Sequence, residues 1–136
     1  MRHDQFIGQV QARARLPDRA HAERACRATL ETLGERVPEG LADNLAAQLP
    51  HEIGENLRRT EVYGGMGSGT GFDRHEFIRR VADRAGVKEP QAAYLVRVVM
   101  EVAAEATTGR VLDKVGESLP PDIRPLVLSG SHGSIE

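Results

Sequence analysis

Aromatic side chains are scarce in this chain: three Phe, two Tyr and no Trp make up 4% of its 136 residues. The core must therefore be built from Leu, Val, Ile and Ala, which suits close helix–helix packing better than a large ligand pocket. Cysteine is nearly absent too. The single Cys26 excludes an internal disulfide and fits a reducing cytoplasm. The opening Met1-Arg2-His3-Asp4-Gln5 lacks the apolar run of a signal peptide, and no later stretch approaches membrane-spanning length. An excess of charge of either sign is also missing. A formal charge of −2 and a pI near 6.2 give no global attraction to nucleic acid or acidic membranes. The chain reads as one soluble cytoplasmic domain, long enough for a real core.

What the chain does contain is a repeat. Phe6-Ile7, Val10 and Arg13-Ala14 return as Phe77-Ile78, Val81 and Arg84-Ala85, about 71 positions later, and Leu30-Glu31 returns as Met100-Glu101. Asp43, Leu49, Pro50 and Ile53 match Asp113, Leu119, Pro120 and Ile123. The slip of one residue falls in turns, where insertions and deletions are tolerated. The predicted fold is all-α: two tandem four-helix units packed as one pseudo-twofold bundle. Residues 1–63 form the first unit, 64–71 a glycine linker, 72–128 the second unit and 129–136 a flexible tail.

Local signals support the helices. Phe6, Ile7, Val10 and Ala14 stripe a first helix over 4–14, and Asp18 is placed to cap a second that runs to about Arg36. That second helix buries Ala22, Ala25, Cys26, Thr29, Leu30 and Leu33. Pro38-Glu39-Gly40 breaks it. A third helix carries Leu41, Leu45 and Leu49 until Pro50 stops it, and a short fourth presents Ile53 and Leu57.

Five glycines among residues 64–71 then preclude regular structure. The second unit restarts with an Asp73/Glu76 capping box and a Phe72–Phe77 staple. Pro90 opens its long helix as the first helical residue. The set Ala92, Leu95, Val96, Val98, Val99, Met100, Val102, Ala103 and Ala106 is wide enough to be buried on two sides, as a central helix or a subunit contact. Val111, Leu112, Val115 and Leu119 mark the next helix. Pro125 is expected to cut the last element to a turn or two.

The pattern Phe-Ile-x-x-Val-Ala, Ala-Gly-Val, long helix, Leu-Pro-x-Glu/Asp-Ile resembles the bacterial proteins grouped as domain of unknown function 2267. Phe77, Ile78, Val81, Ala82, Ala85, Gly86 and Leu119–Ile123 carry the likeness, with first-copy counterparts that include Gln48–Ile53. It spans roughly residues 3–128. The resemblance implies an all-helical bacterial protein with no assigned reaction, and a stress association by analogy alone. The glycine linker departs from the more apolar connection expected there. Residues 76–87 with the following helix also resemble the helical hairpin of the histone-like HU proteins. The basic β-arm with which that family grips the minor groove has no counterpart here.

Candidate chemistry is sparse. His51-Glu52 and His75-Glu76 lack the second His four residues on, where Glu55 and Arg79 stand, so no metal set is predicted. The glycine stretch lacks the Gly-Lys-Ser/Thr of a phosphate loop, and no cofactor or catalytic residue is assigned. Cys26 falls on a buried stripe with no electropositive neighbour. Arg79, Arg80 and Arg84 form a basic-leaning face and are the candidate interaction surface; the plainer reading is a solvated helix face. Arg27, Glu31 and Glu35 recur as Arg97, Glu101 and Glu105. Their predicted role is a reciprocal salt-bridge set between the two long helices. The leading functional reading is a non-enzymatic interaction or scaffold protein whose partner is another protein or a second copy. The alternatives are a DNA-associated protein using the HU-like hairpin, and an enzyme or small-ligand binder whose site the sequence does not display.

Overall fold

The computed structural model describes residues 1–62 and 71–133, except for the side chains of 60–62 and 129–133. The predicted linker lies outside the described residues apart from Gly71, as do the last three residues of the predicted tail. The described residues are all helical, with no strand among them: α1 (His3–Ala14), α2 (Arg19–Arg36), α3 (Glu39–Gln48), α4 (His51–Val62), α5 (Arg74–Ala85), α6 (Glu89–Ala106), α7 (Val111–Glu117) and α8 (Arg124–Gly133). None of the described helices is long and apolar enough to cross a membrane.

The caps follow local chemistry. The Asp18 carboxylate accepts the His21 amide at 2.9 Å and opens α2. Asp73 accepts the Glu76 amide at 2.9 Å and opens α5. The reciprocal half of the predicted capping box is replaced, because the Glu76 carboxylate accepts from Arg79 and Arg80 instead. Charge-assisted bonds to two guanidiniums outweigh one to a neutral amide. The Phe72 and Phe77 rings do meet, with centroids 6.2 Å apart. Helices α1 and α5 both end on a left-handed residue, Arg15 at φ 56° and Gly86 at φ 70°.

Three boundaries differ from the sequence reading. Helix α3 begins at Glu39, so the chain breaks at Val37-Pro38 and Gly40 lies in the first turn. Pro90 is the second residue of α6, where a missing amide hydrogen is still harmless. The third difference is the largest: α8 is ten residues long rather than a turn or two, and its backbone runs on through 129–133. Pro125 is tolerated because it lies in the first turn. The turn before it is hydrogen-bonded anyway, with the Ile123 and Arg124 amides both donating to Pro120 O at 3.0 Å. Ile53 and Gly54 donate to Pro50 O in the same way at 2.9 Å.

The two long helices organise the core. Helix α2 packs on α1, α4, α5 and α6, and α6 packs on α1, α2, α5 and α8. Helix α3 rests on α4 and α7, with α7 against α8. Phe6, Ile7, Leu30, Leu33, Phe77, Val99 and Met100 are fully buried in one continuous apolar cluster. Each long helix thus buries more than one face, as the width of the α6 stripe implied.

Candidate functional site

Among the described residues the polar groups that the fold brings together include two arginine clasps on the long helices, a smaller tie from Arg58 to Asp43 between α4 and α3, and a cleft. The first clasp joins α5 to α2. Arg84 donates from Nη2 to Glu35 at 2.7 Å and from Nη1 to the Thr32 hydroxyl at 2.7 Å, with Glu31 at 3.8 Å from its Nε. Arg80 donates to Glu76 at 2.8 Å and to Glu35 at 3.1 Å, and its guanidinium lies 4.0 Å from the centroid of the Phe72 ring. Arg36 donates to Phe72 O at 2.8 Å, so both faces of this corner are tied. Arg79 is exposed and is held within its own helix by Glu76 and Asp83.

The second clasp joins α1 to α6. Arg13 donates to both oxygens of Glu105, at 2.8 and 2.7 Å, and to Glu101 at 2.8 Å. Tyr94 adds a hydroxyl bond to Arg13 O at 2.8 Å.

The predicted salt-bridge set between the two long helices is not formed among the described residues; each long helix pairs instead with arginines of other helices. Glu35 accepts from Arg84 and Arg80 and Glu31 from Arg59, while Glu101 and Glu105 accept from Arg13. Arg27 and Arg97 are exposed and make no ion pair among the described residues.

The electrostatics follow the geometry. Partial burial pushes the Glu35 carboxyl up, but Arg84 and Arg80 outweigh it and hold the carboxyl below its ordinary range. Arg79 and Arg80 pull Glu76 down to about 2. Arg13 holds Glu105 low, and Glu105 in turn raises Arg13. Burial drives the Cys26 thiol up to about 12.

The cleft lies between α1, α2 and α4 and measures about 340 Å³. Arg24, Arg27, Glu52, Asn56 and Arg59 line it, with Cys26 at its inner wall. Asn56 is the notable member, 7% exposed. It was not legible as a site residue, although one signal existed: the repeat places Leu126 at its counterpart, six residues after the matching proline. His75 Nε2 stands 3.5 Å from Glu89 in an exposed pair. Among the described residues no group of three or more His, Cys, Asp or Glu side chains is placed to hold a metal ion.

Among curated proteins, none matches this sequence. The family described as "Uncharacterized conserved protein (DUF2267)" matches residues 3–126, most of the chain and all eight helix starts. The chain belongs to the DUF2267 family.

Proposed function

We propose that this is a non-enzymatic binding or scaffold protein of the bacterial cytoplasm, built from two copies of one four-helix unit that share a core. The carrying observation is geometric: the charged groups that the fold brings together pair arginine with carboxylate from helix to helix, and their shifts follow from that pairing. Glu35, Glu76, Glu105 and Asp18 are held low, Cys26 is driven high, and Arg13, Arg58, Arg79 and Arg80 are raised. Each moves away from neutrality. A general acid or base works best with a pKa near the working pH, and these shifts run the other way. A carbon-detected NMR titration of the Asp and Glu carboxyls tests this. The Glu35, Glu76 and Glu105 carboxyls are expected to titrate below the ordinary carboxylate range. A carboxyl in the cleft titrating between about 6 and 8 would favour the enzyme reading instead.

The two-unit reading is supported by paired contacts. Helix α1 packs on α2 and α6, as α5 packs on α6 and α2. Helices α2 with α4 and α6 with α8 correspond, and α2 meets α6 as α3 meets α7. A twofold relation between the two units would exchange the members of these pairs. Residues 1–63 and 72–136 expressed apart are expected to be unfolded or to associate with one another, because each half's long helix buries a face against the other half. Two stable, monomeric halves would sink the shared core. The protein partner, whether a second copy or another chain, follows from this reading as part of the proposal.

A further inference from the structure

The cleft between α1, α2 and α4 holds a buried amide with nothing to bond. Asn56 is more than nine-tenths buried, and its side chain has no hydrogen-bond partner among the described residues. Asn56 lines the cleft, and unlike the Thr29 hydroxyl, which is sealed away from solvent, its amide faces the open space. Leaving a buried amide unpaired costs about 1–3 kcal/mol, a penalty that a cleft ligand or water removes. In the second half the counterpart is Leu126, fully buried on α8. An apolar side chain therefore packs at that place in one half, while the other half keeps a polar one.

The surrounding charges say what fits. Arg27 reaches the cleft with no ion pair among the described residues. Arg59 is shared with Glu31 through a long contact of 3.4 Å, which leaves most of its donors available. Glu23 is turned toward Arg19, 3.7 Å away. The Arg24 head lies beside Gly86, where an ideal Cβ would stand 3.7 Å from its Nη1. Glu23 and Glu52 put two carboxylates on the same lining against the three arginines, which leaves a small net positive charge and disfavours polyanions.

From this arrangement we infer a binding site for a small oxyanion, a carboxylate or phosphate of one or two charges. Arg27 and Arg59 supply the charged donors and the Asn56 amide donates from the floor. The volume, about 340 Å³, is at the small end of the range for ligand sites. The cleft does not depend on how the two halves are related.

The test follows the Asn56 side-chain amide by proton–nitrogen NMR in the full chain. Inorganic phosphate, succinate and sodium chloride are titrated at matched ionic strength. A saturable shift with phosphate or succinate, absent with chloride, is the expected result, and whichever saturates identifies the oxyanion. Arg27→Gln should weaken it by about tenfold or more, the loss of one charged hydrogen bond. Asn56→Leu should abolish the backbone shifts around the cleft while leaving the fold intact. Should Asn56→Leu fail to fold, the exposed Arg27→Gln still decides the matter. Shifts equal for all three salts, no saturation, or saturable binding unchanged by Arg27→Gln would overturn the inference.

Discussion

Arg84 and Glu35 are joined across the α5–α2 interface at 2.7 Å, with side chains 30% and 18% exposed. Such a pair falls between the surface ion pair and the fully buried one. Arg84→Ala should lower stability by about 1–2 kcal/mol, more than an exposed pair contributes and less than a buried charge left unpaired costs. A double-mutant cycle with Glu35→Ala, read by urea denaturation, is expected to show coupling of about 1 kcal/mol. The exposed Arg79→Ala should change stability by under about 0.5 kcal/mol. Replacing Arg79, Arg80 and Arg84 together, as a probe of DNA binding, will therefore perturb the fold. Substituting Arg79 alone is the cleaner probe. Duplex binding near physiological salt that this substitution weakens would support the DNA-associated alternative.

Acid should loosen both clasps. Glu35, Glu76 and Glu105 are held low in the folded chain, Glu76 at about 2 against an ordinary 4.5. A depressed carboxyl pKa stabilises the fold above the unfolded value and loses that contribution as pH falls toward the folded one. The urea midpoint should thus be steady from pH 7 to about 5 and decline between about 4.5 and 2. Arg80→Gln should flatten the decline. A wild-type midpoint that holds constant down to pH 2.5 would rule out this account.

Gly54 separates two closely crossing helices. A Cβ there would stand 2.5 Å from the Ala46 carbonyl oxygen, which is backbone and cannot swing away. Gly54→Ala should destabilise by about 1–3 kcal/mol through overpacking of α3 on α4. Gly40, in the exposed first turn of α3 with nothing within 4 Å, is the control. Gly40→Ala should stabilise slightly, by up to about 1 kcal/mol, because alanine loses less backbone freedom on folding.

The two left-handed caps offer opposite substitutions. Arg15 carries a side chain at φ 56°, where only glycine is free of strain, and Gly86 already meets that need at φ 70°. Arg15→Gly is expected to raise the thermal midpoint and Gly86→Ala to lower it, each by the equivalent of about 1 kcal/mol. Midpoint changes of the same sign in both variants would contradict the cap argument.

Cys26 should behave as a core residue. It is 1% exposed and its thiol is driven to about 12 by burial. A thiol-directed reagent at pH 8 is expected to label it only at the rate at which the chain opens, and addition of urea should accelerate labelling steeply. Rapid labelling of the native chain would mean that the cleft wall opens far more readily than its packing indicates.

Helix number, most helix bounds and the buried stripes could all be read from one sequence because they are set locally. Apolar spacing at three and four, Asp18 and Asp73 as caps, and prolines after Leu49 and Leu119 act within a turn or two of themselves. Periodicity shows which side of a helix is buried but not which helix covers it. For that reason the acidic pairs Glu31/Glu35 and Glu101/Glu105 were legible as a repeated motif, while their partners were misjudged. Arg27 and Arg97 are near in sequence; Arg84 and Arg13 are near only after α5 folds over α2 and α1 over α6. The repeat did contain that answer, since Arg13-Ala14 and Arg84-Ala85 were already aligned.

The cleft was less legible still. Asn56 looks like any polar helix residue until α1 and α2 close over it, and nothing within α4 alone tells that its amide is buried. Local propensity and patterning determined the elements of this protein. Which charges meet, and which polar group is left inside without a partner, depended on long-range packing, because burial and pairing are properties of the assembled helices and not of any one of them.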